Sequence, residues 1–413
     1  MPIDLPPSPP QAEIHAATTT SAPSWQPSPE TIARTEKERP GFLFREALVP
    51  QYTLPNVLAG ADGKPVNSPE AWAEQVRPWL IEQFEKNEYG IAPKIDGVRI
   101  ETVSEDATAL DGKATKRCLR ISVPTADKPF EFTFWVFTPN QRQGRVPGFL
   151  LLNNRSVAAA DPERKKISEF WPVETLIDRG YAAAEVHLSD VQPDKPDGLS
   201  KGIIAAIPGS ADPQERWATL AAWAWAASRV LDGLQTLPEI DPARVAVIGH
   251  SRGGKTALWA GATDPRFGMV VASCSGCGGA ALARRSYGET LTVINKVFPH
   301  WFCGNYKTFN DHPEKLPIDQ HQLLALIAPR PLYIGCADED LWADPRGEFL
   351  ALTEASKVYS LYGQPTISAD EMPPLEQPLI RGSLGFHIRR DEHNLKASDW
   401  QRYLALTDSV WKK

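Results

Sequence analysis

Ser251, His393 and a carboxylate from the run Asp338, Glu339 and Asp340 follow one another in the order that one class of acyl-transfer chemistry requires. Ser251 is the centre of Gly249-His250-Ser251-Arg252-Gly253, a G-x-S-x-G pattern between the apolar run 245–248 and a small-residue stretch holding Ala257, Ala260 and Ala262. In such an elbow the serine sits on a sharp, strained strand-to-helix turn with its hydroxyl held above the sheet. A side chain at Gly249 or Gly253 would collide with the neighbouring strand or helix. The free N–H groups of the helix N-terminus face a developing oxyanion.

A serine hydroxyl needs a base to take its proton, an acid to orient that base, and two oxyanion donors. His393, on the loop past the last strand, is the expected base; His387 lies inside that strand, and His250 points away from Ser251 by the geometry of the turn. Asp338, Glu339 and Asp340 compete for the acid. Asp338 is nearest the strand end, whereas Asp340 precedes Leu341-Trp342 and can turn back toward His393. The donors are expected to be the N–H of Arg252 and one from the loop after Leu152, near Asn153 or Asn154. Arg252 and Lys255 put two cations beside the reacting centre, one directly after the nucleophile and one a helical turn on. They suggest an anionic or strongly polar substrate, or an oxyanion assisted by the Arg252 side chain.

These groups need strands that all end on one edge of a sheet. Near-continuous apolar runs at 148–152, 181–187, 245–248, 269–273, 331–335 and 383–388 alternate with helical stretches at 215–237 and 398–410. That pattern predicts an α/β fold with a mostly parallel central sheet between helical layers. Ahead of it, alternating runs at 98–103, 118–123 and 130–137 with turn signals between them predict an antiparallel meander. Trp72, Val76, Trp79, Leu80 and Phe84 share one helical face over 69–84, with Ser68 as N-cap and Pro78 as a kink or break. Residues 1–40, rich in Pro, Ser and Thr, read as a disordered leader or linker. Residues 41–413 read as a single catalytic domain with insertions near 188–214 and 281–325, the first a Pro- and Asp-rich loop of a length that usually carries function.

The 413 residues carry a net charge of −7 with 42% hydrophobic and 23% charged residues, which argues against nucleic acid as a partner. No apolar run approaches a membrane span, and no basic-then-apolar signal segment is visible at the N-terminus. The five cysteines are widely spread, and Cys274-Ser-Gly-Cys277 lacks the second ligand pair of a zinc site. Buried thiols are the expectation, with one disulfide open if the protein is exported.

Gly249-His-Ser-Arg-Gly-Gly-Lys255, Ser275-Gly-Cys-Gly-Gly279, Trp301, Asp340-Leu-Trp342 and His393-Asn-Leu395 together resemble the glucuronoyl esterases of carbohydrate esterase family 15. The similarity runs from about residue 52 to the C-terminus and is closest to bacterial members. It implies an α/β-hydrolase fold and a serine esterase, needing no metal or cofactor, that cleaves the ester between (4-O-methyl-)glucuronic acid on xylan and a lignin alcohol. It implies sugar-contacting roles for Lys255, Glu289 and Trp342 and an oxyanion role for Arg252. Fungal members place their triad Glu directly before S-G-x-G-G, where this chain has Cys274; the resemblance to bacterial members points to Asp340 as the acid. The insoluble substrate implies a secreted or periplasmic protein, and a monomer is expected. The rivals are an acetyl xylan esterase or other carboxylesterase of the same fold, and a catalytically dead carbohydrate-binding relative.

Overall fold

The computed structural model describes residues 24–411. Each apolar run forms a strand, with ends displaced by up to several residues, and an unanticipated short strand, β9, joins them: β1 (Arg99–Ala109), β2 (Ala114–Val123), β3 (Phe130–Pro139), β4 (Val146–Asn153), β5 (Ala182–His187), β6 (Ile240–His250), β7 (Met269–Ser273), β8 (Leu332–Ala337), β9 (Leu379–Arg381) and β10 (Leu384–Arg389). They make one sheet in the order β1-β2-β3-β5-β4-β6-β7-β8-β10-β9. From β5 across to β10 every neighbouring pair is parallel. The meander β1-β2-β3 and the short β9 close the two sides antiparallel.

The side-chain alternation of strands explains why the central runs are apolar throughout. Leu150, Leu152, Val245 and Val247 point into one core, packed with the helices Thr219–Thr236, Arg252–Thr263 and Pro345–Leu361. Phe149, Leu151, Ala246 and Ile248 point into the other, with Val173–Asp178 and Ala397–Trp411, whose Trp400, Tyr403 and Leu404 seal that face. Both faces are covered, so no position on β4 is exposed. This is the three-layer α/β-hydrolase architecture. The parallel strands all end on one edge, where β5, β6, β7, β8 and β10 release their loops.

The helical segment near 69–84 is interrupted, as Pro78 requires: Pro69–Ala71 is α-helical, Trp72–Val76 π-helical, and Arg77–Phe84 α-helical with Pro78 in its first turn. Pro78 has no N–H to give the turn before it, and the bonding pattern changes there from π to α. Trp72, Val76, Leu80 and Phe84 are buried.

The leader expected over residues 1–40 needs correction where it overlaps the described residues; its first 23 positions lie outside them. Pro29–Glu38 is a helix, with Pro29 in its first turn and Ser28 Oγ accepting the Thr31 N–H at 3.0 Å. Trp25 is buried and donates its backbone N–H to Pro373 O. A Ser-Pro pair read as disorder by composition is here a capped helix start. Among the described residues, no helix is long and apolar enough to cross a membrane.

Candidate active site

Ser251 adopts φ +58° and ψ −126°, in the left-handed half of backbone space that a side chain enters only under strain. Its two flanking glycines make that turn possible. A Cβ at Gly249 would stand 2.0 Å from Gly253 O, and one at Gly253 would stand 2.9 Å from Leu152 O. The helix Arg252–Thr263 starts at the next residue, so its N-terminal dipole lies directly beneath the serine.

Ser251 shares a cavity of about 250 Å³ with Arg252, Lys255, Glu289, Asp340, Trp342 and His393. A larger hollow of about 580 Å³ lies by Lys116, Glu163 and Arg164, on a surface with neither a cysteine nor a serine to act as nucleophile. The three competing carboxylates separate cleanly. Asp340, buried, places Oδ2 2.5 Å from His393 Nδ1. Asp338 accepts the Asp391 N–H, and Glu339 pairs with Arg34. His387 is bound to Asp399 and Tyr333 within the core. His250 is buried, and neither ring nitrogen has a hydrogen-bond partner among the described residues. Cys274 holds the position before the S-G-x-G-G loop; burial, then the Asp340 charge, push its thiol well above the usual range.

Arg252 is positioned by Asp194, which the sequence reading passed over, and by the aromatic residues of the 281–325 insertion. Its guanidinium pairs with Asp194, from the loop after β5, and lies 4.8 Å over Trp301 and 5.3 Å over Phe298. Those two rings are themselves stacked at 3.8 Å. Asp194 Oδ1 also lies 2.8 Å from His300 Nε2 and accepts the Trp301 indole N–H at 2.8 Å. Burial alone would raise the Asp194 carboxyl, but the His300 bond, the Arg252 charge and the indole hold it down at about 2. The length of the 188–214 loop was the one available signal for Asp194.

The second oxyanion donor is expected as a backbone N–H near Asn153 or Asn154, on the loop that leaves β4 beside the elbow, where Asn154 Oδ1 lies 3.3 Å from where a Cβ on Gly253 would stand. The Asn153 side chain is turned inward, donating to the buried Glu185 at 2.8 Å and accepting the Arg155 N–H. A carboxyl buried beside it needed that amide, since burial lifts Glu185 to about 7 against the pull of the Asn153 bond.

Lys255 is buried, and its ammonium donates to the carbonyls of Ser275 and Cys277, the first at 2.6 Å. It therefore holds the S-G-x-G-G loop as well as facing Glu289, 4.0 Å away. Burial raises the Glu289 carboxyl, while Lys255 and the Trp342 N–H pull it back. Beneath the same loop, Glu348 accepts from Ser275 Oγ and the Gly276 N–H and lies 2.8 Å from Cys336 Sγ. Trp342 is not a bare platform: the Arg39 guanidinium lies 4.0 Å over its ring and Phe42 meets it edge-on at 4.9 Å. All five cysteines are buried and free.

A serine on a positive-φ elbow, beside a histidine–carboxylate pair on loops at the carboxyl edge of a parallel sheet, defines an α/β-hydrolase. Residues 211–363 match the family model for glucuronyl esterases of fungi. Carbohydrate esterase MZ0003, from an unknown prokaryotic organism, is 37% identical over 93% of this chain and 94% of its own length. The solved glucuronoyl esterase of Solibacter usitatus is 37% identical, with a TM-score of 0.83 over 89% of this chain and 100% of that one. A family 15 glucuronoyl esterase of Teredinibacter turnerae is 30% identical, with a TM-score of 0.79 over 87% of this chain and 89% of its own. The chain belongs to the glucuronoyl esterases of carbohydrate esterase family 15, and is a carboxylic ester hydrolase.

Proposed function

We propose that this protein hydrolyses the ester joining (4-O-methyl-)glucuronic acid of glucuronoxylan to a lignin alcohol, through an acyl-enzyme on Ser251. The observation that carries the reading is the meeting of two sets of groups in one cavity. Ser251 and the His393–Asp340 pair supply acyl-transfer chemistry, and the buried Lys255–Glu289 pair supplies polar recognition. An acetyl esterase has no use for the second set.

In this mechanism His393 Nε2 removes the Ser251 hydroxyl proton as Oγ attacks the uronate carbonyl carbon. Asp340 holds Nδ1–H and stabilises the imidazolium that forms. The Arg252 backbone N–H, at the helix N-terminus, and its guanidinium, fixed by Asp194, face the negative charge that develops on the carbonyl oxygen. Collapse of the tetrahedral species passes the proton from His393 to the departing alcohol oxygen. A water molecule then gives its proton to His393, attacks the ester on Ser251, and frees the uronic acid. Lys255 has one N–H beyond the two that hold the loop, and with Glu289 it offers a donor and an acceptor to the hydroxyls of a sugar. The polymeric substrate puts the enzyme outside the cytoplasm, acting as a monomer.

The test is a side-by-side measurement of kcat/KM on benzyl glucuronate, benzyl galacturonate and p-nitrophenyl acetate. A clear preference for the glucuronate is expected, because a site that hydrogen-bonds a hydroxyl rejects the analogue that misplaces it. Equal values on all three would make this a general carboxylesterase.

A further inference from the structure

Two side chains beside the base, His250 and Cys274, have no part in the hydrolytic mechanism. The ligand atoms of Cys274, His250 and His393 all lie within 4.8 Å of one another, the one such set of three His, Cys, Asp or Glu residues among those described. The elbow brings them together: His250 ends β6, Cys274 leaves the adjacent β7, and His393 arrives on the loop after β10. The two imidazole centroids are 4.5 Å apart.

Each member has coordination capacity to give. His250 is 1% exposed, yet neither of its nitrogens has a hydrogen-bond partner among the described residues. A buried polar group left in that state is a standing penalty that a ligand would remove. Cys274 Sγ has only a long contact, 3.8 Å, to Asn394 O. His393 gives Nδ1 to Asp340, which leaves the Nε2 lone pair free. That carboxylate–histidine arrangement is also the one that orients histidines at metal ions.

Two imidazoles and a thiolate form a borderline-soft set that suits Zn²⁺. Tetrahedral zinc with bonds of about 2.0 to 2.3 Å holds its N and S ligands about 3.5 Å apart. The triangle must therefore tighten by about 1 Å at its widest side. The half-exposed His393 ring, on a surface loop, is the member free to move.

We propose that this protein binds one Zn²⁺ ion through Cys274, His250 and His393, and that the bound ion switches hydrolysis off. On binding, the Cys274 thiol loses its proton to solvent, and the thiolate and two imidazole lone pairs bond to the ion; no electron is transferred. Inhibition rests on the reading of His393 as the base, because an imidazole held by the metal and drawn from its place can no longer carry the Ser251 proton. Binding does not rest on that reading.

The test titrates the metal-free full-length protein with Zn²⁺ by calorimetry and with Co²⁺ by absorption, alongside initial rates on benzyl glucuronate. One ion per chain is expected, with a thiolate-to-cobalt charge-transfer band in the near ultraviolet and half-inhibition at the same Zn²⁺ concentration as half-binding. Cys274→Ser should abolish the band and weaken Zn²⁺ binding at least about tenfold. His250→Gln should weaken it similarly, each variant being compared with its own metal-free rate and its circular dichroism checked. No stoichiometric binding, or unchanged affinity in Cys274→Ser, overturns the site. Stoichiometric binding with the band but undiminished hydrolysis overturns the switch and His393 as base together, while leaving the site standing.

Discussion

Asp194 pairs with Arg252, the residue immediately after the nucleophile, and the same carboxylate is bonded by His300 and Trp301. The guanidinium is thereby fixed over an aromatic stack instead of sweeping through solvent. An oxyanion donor is useful only if it is already in place when charge develops.

Asp194→Ala is therefore expected to lower kcat about 100-fold with a smaller change in KM, the loss typical of a misplaced reacting group. Asp194→Glu should recover part of it, which a merely structural role would not. The sign of the pH effect follows from the depressed carboxyl. The pair contributes fully above the ordinary Asp range and is lost as pH falls through about 2. Acid inactivation at pH 4 to 5, measured by rate against pH, must then come from other groups.

The sorting of the acidic loop yields a ranking. Asp340→Asn is expected to cut kcat by about 10⁴, through the wrong imidazole tautomer. Asp338→Asn should cost little, because Asp338 accepts the Asp391 N–H through one oxygen, which an amide oxygen accepts as well. Steady-state rates of the two variants decide it, and the reverse order would place the acid at Asp338.

Lys255 and Glu289 should separate by substrate. Lys255→Ala leaves the Ser275 and Cys277 carbonyls without their donor, a loss of about 1–3 kcal/mol in folding. It should slow both benzyl glucuronate and p-nitrophenyl acetate. Glu289→Gln, which leaves the loop held, should slow only the glucuronate.

Glu88 gives a stability prediction. Burial lifts its carboxyl to about 8, partly opposed by the Gln320 amide, and one of its oxygens has no hydrogen-bond partner among the described residues. For an acid raised on folding, the unfolded chain ionises first. Stability therefore falls between the ordinary Glu range and about pH 8, by at most about 1.4 kcal/mol per pH unit. Glu88→Gln should make that slope shallower by its own share in urea melts run across this range, leaving the share of Glu185, which burial also raises, and should leave stability at pH 4 unchanged.

What was legible in the chain was local or periodic. The apolar runs, the elbow glycines and the meander each encode their conformation within a few residues, and the fold follows. The residues alone left Asp338, Glu339 and Asp340 competing, because three adjacent carboxylates differ only in how the turn after β8 aims them, and the family resemblance pointed to Asp340. Asp194 was hidden, since its partners at 252, 300 and 301 are remote and only the length of its loop marked the region. Arg39 was masked by the Pro- and Ser-rich composition around it, and so was the covering of Trp342. The inward turn of the Asn153 side chain was not legible, because the demand of the buried Glu185 on the neighbouring strand is invisible in one dimension.

The most direct test of the whole account is the rate of Ser251→Ala on benzyl glucuronate, with circular dichroism and melting temperature compared with the parent. The account predicts a folded protein whose kcat has fallen by at least about 10³. A folded Ser251→Ala variant that still turns over near the parent rate would contradict it.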